Sequence, residues 1–403
     1  MSACRVGTSP GYWATPLEFR LHRTPACSSL ALHDFVKVLP ECQEDPANLP
    51  YKAPQARWRK CVHVNTTLLH ALRHATILLV GDSTAALWLD TMCRTTFMSY
   101  YSPFVNASEW LPPNAKPKAA LSNASAKLYH ARPNSCHWCE LAPQIKYGVR
   151  GPVMGHFSHF GVAGPPYWIA ATPNAPWVAN NTHDMVRDNL PQFCAAVTRT
   201  RAHDARRAAH GRARKHAPDF DDVRQRDAEQ VRQRDAERLG CEQPTMIVAN
   251  SGLWDLEGFW YHDANRAEHF QVRAEHVHRY LDGVRRFVAT LRATFPRSRI
   301  VWRTAHPAGP QRHGALGFSH VVQQQAMHAL NEGVRAFAPA WGLELLDTAR
   351  MLQGLVPTGI LSKQSTIGGV GLWDGLHLHQ WVHIPLVNMM LNLLSETHPL
   401  EYN

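Results

Sequence analysis

The residues of this chain that are best suited to chemistry lie in two stretches far apart in the sequence. Gly81-Asp82-Ser83 follows an apolar run, and the tetrapeptide Asp-Gly-Leu-His at residues 374–377 lies near the carboxyl terminus. A serine hydroxyl becomes a useful nucleophile only when a base takes its proton and a third group orients that base. The order serine, aspartate, histidine is compatible with a triad in which His377 is the general base and Asp374 orients its ring.

A triad also needs hydrogen-bond donors for the oxyanion of its tetrahedral intermediate. The backbone N–H of Ser83 is one candidate, because it opens a predicted helix. Asn250 directly follows a predicted buried strand, so its side-chain amide is a second candidate, and Gly252 would permit close approach of the backbone. The predicted oxyanion hole therefore consists of Ser83, Asn250 and Gly252.

Simpler interpretations exist for each fragment. Asp82 or Ser83 could serve only as a helix cap, Asn250 could be a turn residue, and His377 is one of 25 histidines. A metal-dependent hydrolase using His377, His379 and His383 is another alternative, although no carboxylate cluster accompanies these histidines. Three fragments with complementary roles, each following a predicted strand or turn, favour the serine mechanism.

The elements that must position these residues follow from periodicity. After residue 70, short apolar runs typical of buried strands alternate with helical patterns. This alternation predicts a mostly parallel sheet covered by helices on both faces, with ligand sites at the carboxyl ends of its strands. The predicted strands are 76–80, 167–171, 245–249, 299–303 and 343–347, and the predicted helices are about 266–294, about 319–338 and a third following Pro385.

The domain organisation is predicted from composition. Residues 1–70 are rich in proline, cysteine and tryptophan and indicate a loop-rich segment packed on a catalytic domain over 71–403. Residues 199–240 contain the tandem VRQRDAEQ and VRQRDAER and are interpreted as a charged insertion without a catalytic role. Much of the net charge of +10 lies at 198–216, which we interpret first as solvated surface and second as a phosphate- or glycan-binding arm.

Cysteines and glycosylation sequons favour an oxidising, secretory compartment. Residues 1–30 lack the pattern of a signal peptide, so the signal or anchor is not visible in this sequence. Cys136 and Cys139 have the spacing of a zinc half-site or redox pair, but no second pair follows, which favours disulfides. The sequons are at Asn65, Asn106, Asn123 and Asn180, and the nine cysteines are residues 4, 27, 42, 61, 93, 136, 139, 194 and 241.

Taken together, these motifs resemble the SGNH hydrolase superfamily. The resemblance is closer to its PC-esterase branch, which includes the plant trichome-birefringence-like polysaccharide O-acetyltransferases and the luminal domain of sialic acid O-acetyltransferase. It spans most of the chain except 199–240. Gly81-Asp82-Ser83 matches the nucleophile motif of the family, and DGLH at 374–377 matches its terminal Asp-x-x-His. NSGLW at 250–254 resembles the Asn-x-Gly-x-Trp block, and VWRTAHP at 301–307 resembles the Arg-Thr-x-x-Pro stretch. Trp13 and the RWRKC segment that ends at Cys61 resemble the N-terminal part of the family.

The sequence departs from the branch at one position. Members usually carry arginine three residues after the serine, whereas this chain has Ala86. Arg303 is a candidate substitute, and Asp82, Trp254 and Arg303 are expected to assist substrate or oxyanion binding. The glycine of the family's second block is not fixed by the sequence, because Gly148, Gly151, Gly155, Gly161 and Gly164 all lie in the relevant region.

The resemblance implies a three-layer α/β/α, flavodoxin-like fold and acetyl transfer to a polysaccharide or glycan hydroxyl through Ser83. A carbohydrate O-acetylesterase of the same fold is the alternative, followed by a metal-dependent hydrolase or a catalytically decayed glycan-binding protein. We expect no metal, cofactor or nucleic-acid partner. The acyl donor would be acetyl-CoA or an acetylated carrier, with a membrane-bound acyl supplier as a candidate partner, in the Golgi or the secretory-pathway lumen.

Overall fold

The computed structural model describes the predicted core of the chain and parts of its N-terminal segment. The predicted strand at 167–171, the insertion at 199–240, and both Asp374 and His377 lie outside the described residues. So do the sequons at Asn106, Asn123 and Asn180. The described residues are 11–15, 18–21, 32–39, 61–95, 101–102, 137–141, 151–159, 161–163, 186–187, 190, 243–263, 270–306, 320–353, 378 and 380–396.

Strands and helices alternate through most of the described chain. The strands are β1 (Gly11–Thr15), β2 (Glu18–Leu21), β3 (Val36–Val38), β4 (Val62–Val64), β5 (Thr76–Gly81), β6 (Tyr101–Ser102), β7 (His137–Glu140), β8 (Val153–Ser158), β9 (Met246–Ala249), β10 (Arg299–Arg303) and β11 (Glu344–Leu346). The helices are α1 (Thr66–Ala71), α2 (Ser83–Thr95), α3 (Leu253–His262), α4 (Ala274–Thr294), α5 (His320–Phe337), α6 (Thr348–Gln353) and α7 (Gln380–Ser395).

Among the described residues, one seven-stranded sheet organises the fold, in the order β11-β10-β9-β5-β8-β7-β6. The five strands from β11 to β8 are parallel, and β7 and β6 continue the sheet antiparallel. Numbered along the chain, the parallel strands lie in the flavodoxin-like order 2-1-3-4-5. The strand order therefore reverses between β5 and β9, and the predicted mostly parallel α/β sheet is confirmed.

Helices cover both faces of this sheet, because the buried strands alternate their side chains between two cores. Ile77 and Leu79 of β5 pack with residues of α2 and α7. Leu78 and Val80 point to the opposite face and pack with residues of α3, α4 and α5. The result is a three-layer α/β/α arrangement with β5 buried along its whole length.

The strands with apolar centres were predictable, whereas β8, which pairs with β5, was not. Strands lie at four of the predicted positions, as β5, β9, β10 and β11. No prediction covered β8, whose sequence VMGHFS is interrupted by Gly155 and His156. His156 is nevertheless fully buried, and its Nε2 lies 3.2 Å from the Gly81 carbonyl oxygen, which accepts a hydrogen bond from it. A satisfied polar group of this kind breaks the apolar pattern without breaking the strand.

Two predicted helix boundaries were wrong. The helix predicted from about residue 266 begins at Ala274, because Arg273 is extended and its N–H donates to Nδ1 of His276, closing the first turn. The helix predicted to follow Pro385 begins at Gln380 and contains that proline. Proline removes one helical hydrogen bond, but the apolar burial of α7 against the sheet outweighs that loss.

Part of the N-terminal segment packs against α7. β3 pairs antiparallel with β4, and Phe35, Val36 and Val38 belong to the core that contains α7. The Asn388 side chain accepts from Val36 N–H and donates to Val36 O, and Asn392 makes the same paired contacts with His33. Two amides thus bind this backbone as a neighbouring strand would. The domain boundary at residue 70 stays a prediction.

Two of the nine cysteines have a defined state in the described residues. Cys61 and Cys93 are each disulfide-bonded, and both side chains are buried. Asn65, the sequon asparagine in this region, is partly exposed, and its Oδ1 caps α1 by accepting from Leu68 N–H at 3.0 Å. Within the described segments, no helix is both long enough and apolar enough to cross a membrane.

Two helical glycines provide a matched test of the packing on the α4 side. A Cβ at Gly283 would lie 2.4 Å from the Val162 carbonyl oxygen, whereas a Cβ at Gly258 would meet nothing within 4 Å. We expect Gly283→Ala to lower the free energy of unfolding by about 1–3 kcal/mol through overpacking. Gly258→Ala should raise it by about 0.5–1 kcal/mol through helix propensity. Urea denaturation of both variants measures this, and equal effects would contradict the close contact at Gly283.

Candidate active site

Ser83 and Asn250 lie at the crevice where the strand order reverses. Gly81 ends β5 and Ser83 begins α2, while Asn250 directly follows β9 and its N–H donates to Val80 O at 3.0 Å. In sheets of this type, ligands bind outside the carboxyl ends of the strands at such a reversal. The structure therefore brings two of the predicted site residues to the position where an α/β sheet forms its site.

Asp82, which precedes the serine, caps helix α2. The Asp82 carboxylate accepts from the Thr84 N–H at 2.9 Å and from the Thr84 hydroxyl at 2.6 Å. The carbonyl of Asp82 also accepts from the N–H groups of Ala85 and Ala86. Asp82 is buried, whereas Ser83 is partly exposed. The capping interpretation thus holds for Asp82, with the Ser83 side chain at the surface of the turn.

The Asn250 side chain lies directly over Gly81. A Cβ at Gly81 would be 1.9 Å from Asn250 Oδ1, so any larger residue there would displace the Asn250 amide. Asn250 is 1% exposed, and among the described residues neither its Oδ1 nor its Nδ2 has a hydrogen-bond partner. Leaving a buried amide unpaired costs about 1–3 kcal/mol. Such a group is suited to receive a ligand atom whose hydrogen bond offsets this cost.

Gly252 makes the turn from β9 into α3. Its φ of 137° lies in the region that favours glycine, and a Cβ there would be 3.1 Å from Met327 Sδ of α5. The close approach seen at Gly252 is therefore to α5. Trp254, in the first turn of α3, is partly exposed at the same edge of the sheet.

Of the candidate second-block glycines that the structure describes, Gly161 is the one that lies beyond the carboxyl end of β8. Its φ is 107°, whereas Gly151 precedes β8 and Gly155 lies within it. Gly148 and Gly164 lie outside the described residues.

Asp255, which the sequence did not single out, holds the segment after Gly161 against α3. Its Oδ1 accepts from the N–H groups of Val162 and Ala163 at 2.7 and 2.8 Å, and Ser251 Oγ donates to its Oδ2. One carboxylate thereby ties the loops that follow β8 and β9 together across the end of β5.

Arg303 ends β10 and reaches under the serine turn. Its side chain is 2% exposed, and its Nη2 donates to Thr84 Oγ1 at 2.7 Å. The guanidinium carbon also lies 4.6 Å from the ring centroid of Trp88, a cation–π distance. The sequence predicted Arg303 as a substitute for the arginine missing at Ala86. Its contacts in the structure are with residues of α2.

Burial and charge act against each other in this network. Burial, the strongest single effect, acts to raise the pKa of Asp82, but the charge of Arg303, the two hydrogen bonds from Thr84 and nearby His159 together hold it below the ordinary value of 3.8. Burial lowers the pKa of Arg303 to about 10, against the opposing effect of Asp82. Both groups are therefore charged at neutral pH.

His159 is a further buried group at this edge that sequence reasoning missed. Its N–H donates to Gly81 O at 2.9 Å and its ring packs 5.0 Å from the ring of Phe287. Neither ring nitrogen has a partner with hydrogen-bond geometry in the described core. Burial lowers its pKa, although Asp82 and Asp255 act to raise it, so the ring is neutral at pH 7. In a chain with 25 histidines, nothing in the local sequence distinguished this one.

The remaining predicted site residues are the triad partners of Ser83 and the metal-binding histidines. The roles of Asp374 and His377 stay predictions, and Leu378, next in sequence to His377, is buried in the core that contains α2. His383, a proposed metal ligand, is buried on α7 with its Nδ1 hydrogen-bonded to Thr91 Oγ1 at 2.9 Å. In the described part of the chain, no group of three or more His, Cys, Asp or Glu side chains could hold a metal ion.

Two solved structures are similar to this chain at low sequence identity. No protein-family model matches the chain, and no curated protein does. A candidate arylesterase from Agrobacterium tumefaciens aligns with 14% identity over 77% of this chain and 94% of its own, with a TM-score of 0.31. A carbohydrate acetylesterase from Sinorhizobium meliloti aligns with 12% identity over 80% of this chain and 99% of its own, with a TM-score of 0.34.

Replacing Asp82 by asparagine tests the buried charge pair. The substituted amide would keep a capping oxygen but leave Arg303 without its counter-charge, so we expect a loss of about 3–5 kcal/mol in unfolding free energy at pH 7. Because the folded pKa of Asp82 is lowered, its contribution is fully present above pH 3.8 and is lost as the pH falls through the folded pKa. The difference in unfolding free energy between the wild type and Asp82→Asn should therefore become smaller below pH 3.8.

The control for this measurement is Asp282→Asn on α4. Asp282 pairs with Arg285 and Arg286, but its side chain is 47% exposed. Losing such a pair should cost about 0.5 kcal/mol or less. Both variants are compared by denaturant titration across pH. Equal losses of unfolding free energy in the two variants would contradict the buried charge pair assigned to Asp82 and Arg303.

Proposed function

We propose that this chain is a serine O-acyltransferase of the SGNH type, which moves an acetyl group to a glycan hydroxyl through an acyl-enzyme on Ser83. One observation carries the proposal: at the reversal of strand order, Ser83 opens helix α2 two residues after Gly81, and over Gly81 lies the buried Asn250 amide, which has no hydrogen-bond partner in the described core. A helix N-terminus and a buried amide are the donors that a developing oxyanion needs. Hydrolysis by an O-acetylesterase of the same fold is the alternative outcome of the same acyl-enzyme.

The first half of the reaction forms the acyl-enzyme. Ser83 Oγ bonds to the acetyl carbonyl carbon while His377 takes the hydroxyl proton, and Asp374 orients the imidazole. The negative charge that forms on the carbonyl oxygen is stabilised by the Ser83 N–H and the Asn250 amide, with Gly161 as a further backbone candidate. The bond to the donor then breaks, and its leaving oxygen or sulfur takes the proton from His377.

The second half decides between transfer and hydrolysis. A glycan hydroxyl, or water, gives its proton to His377 and attacks the acyl carbon, and Ser83 leaves with the proton restored. Transfer prevails when the site holds the acceptor and excludes water. Partly exposed Trp254 lies at the same edge of the sheet, where its indole would offer a flat apolar face to a sugar ring.

The remaining expectations belong to this proposal. The acyl donor would be acetyl-CoA or an acetylated carrier, supplied with or without a membrane-bound partner, and the acceptor a polysaccharide or glycan. Disulfide-bonded Cys61 and Cys93 and the sequon at Asn65 favour the Golgi or the secretory lumen. Membership of the PC-esterase branch is part of the proposal, and Ala86 is its main departure.

Substitution of the predicted site residues tests the mechanism on one aryl acetate. Ser83→Ala should abolish the covalent intermediate, and Asp374→Asn should give a folded protein with a large loss of rate because His377 is misoriented. Asn250→Ala should cost about 10²–10³ in turnover, because one oxyanion donor is lost. Mass spectrometry of trapped acyl-enzyme and steady-state rates measure these effects, with and without oligosaccharide acceptors to separate transfer from hydrolysis.

His379→Ala and His383→Ala are the controls, because the serine mechanism uses neither residue. A metal-dependent hydrolase would instead require them to be as damaging as His377→Ala, and chelators would remove its activity. Near wild-type turnover in Ser83→Ala would end the proposal.

Gly81→Ala gives an independent test of the Asn250 position. The added Cβ collides with Asn250 Oδ1, so we expect a loss of turnover similar to that of Asn250→Ala. In an Asn250→Ala background that collision is absent, so adding Gly81→Ala should have little further effect. Steady-state rates of the two single variants and the double variant check this. Losses that multiply in the double variant would mean that Gly81 acts by another route.

A further inference from the structure

Both chain neighbours of Ser83 belong to one buried network that includes a residue two strands away. Asp82 precedes Ser83 and Thr84 follows it, and Arg303 reaches them from the end of β10, with β9 lying between β10 and β5. Asp82, Thr84 and Arg303 are 2%, 3% and 2% exposed. Their side chains are therefore enclosed, while Ser83 between them is partly exposed.

The Thr84 hydroxyl is the link between the two charges. It accepts from Arg303 Nη2 at 2.7 Å and donates to Asp82 Oδ1 at 2.6 Å, so the three groups form one chain of hydrogen bonds. The same Asp82 oxygen accepts from the Thr84 N–H at 2.9 Å. Three hydrogen bonds thus fix the residues on both sides of Ser83, and hydrogen bonds linked in this way strengthen one another.

The buried cation stabilises this arrangement. A buried carboxylate is stable only when it is paired and hydrogen-bonded. Arg303 supplies the charge, and the face of Trp88 receives its guanidinium at 4.6 Å. Asp82 also lies at the N-terminus of α2, where negative charge is favoured.

We propose that Arg303 is a positioning residue that sets the reactivity of Ser83 through the Thr84 hydroxyl. The inference rests on the proposed function of Ser83 as nucleophile. The competing assignment is direct contact between Arg303 and the oxyanion, in place of the arginine missing at Ala86. The two assignments differ in one respect: a direct contact does not need the hydroxyl of Thr84.

The test is the rate at which a fluorophosphonate probe labels Ser83, whose Oγ bonds to phosphorus as fluoride leaves. Thr84→Val keeps the shape but removes the hydroxyl, and we expect labelling to slow about 10- to 100-fold. Thr84→Ser keeps the hydroxyl and should label close to the wild-type rate. All rates are measured well below each variant's Tm, so that loss of stability alone does not change them.

Thr91→Val is the matched control. Thr91 lies on the same helix and is equally buried, and its hydroxyl is hydrogen-bonded to His383 Nδ1. This variant should have a lower Tm and an unchanged labelling rate. A slowing equal to that of Thr84→Val would mean that any loss of a buried hydroxyl in α2 has this effect, which would overturn the proposal.

A double-mutant cycle with Arg303→Lys separates the two assignments. Lysine keeps the charge but not the planar donors or the stacking. If Arg303 acts through Thr84, the double variant should label little more slowly than the slower single variant. Losses that multiply would show that Arg303 acts without the hydroxyl and would overturn the proposal, as would a wild-type rate in Thr84→Val.

Hydrogen exchange at the amides of residues 83–86 keeps this result separate from the proposed function. Faster exchange in Thr84→Val than in Thr84→Ser supports the holding role of the network, and equal exchange overturns it. If the probe does not label the wild-type protein, the proposed function is contradicted. The hydrogen-exchange comparison would still decide whether the network orders the turn.

Discussion

The site depends on the absence of a side chain at Gly81. Because nothing projects from the end of β5, the Asn250 side chain can lie across it, and two neighbouring strands deliver their polar residues to one point. The backbone of Gly81 is used as well, since its carbonyl accepts from the His159 N–H and from the ring of His156. The end of the central strand is thus fixed from both sides, and the turn that carries Ser83 starts from a defined position.

Two buried carboxylates extend this fixed point into the loops. Asp82 receives hydrogen bonds from the residue after the serine, and Asp255 receives them from the loop beyond β8. Each accepts from backbone N–H groups, so each orders main chain and not merely a side chain. Of the two, Asp82 is linked to a buried cation, Arg303, through Thr84. The turn that carries Ser83 is therefore stabilised by a carboxylate linked to a buried cation. The loop beyond β8 is stabilised by a carboxylate that accepts from neutral backbone N–H groups.

The chemistry of each segment explains which parts of the fold and of the site could be predicted from the sequence. Thr76–Gly81 is a nearly continuous apolar run and Arg299–Arg303 has an apolar centre, patterns typical of strands buried in a parallel sheet. The sequence did not predict β8, because Gly155 and His156 interrupt its apolar pattern and the hydrogen bond that satisfies His156 is made with a residue distant in the chain. Ser83 and Asn250 were located by short motifs, whereas Asp255 and His159 act through contacts with residues distant in the chain. Local patterns do not encode such contacts.

The described sheet ends in very short strands. β11 has three residues and β6 has two, whereas β5 and β8 at the centre have six each. A strand at the edge of a sheet offers unpaired backbone groups to any other chain that it meets, and the hazard grows with its length. The taper from the middle outwards leaves few such groups at either border. The same strand lengths that concentrate order around the serine turn therefore also limit edge-to-edge pairing at the borders of the described sheet.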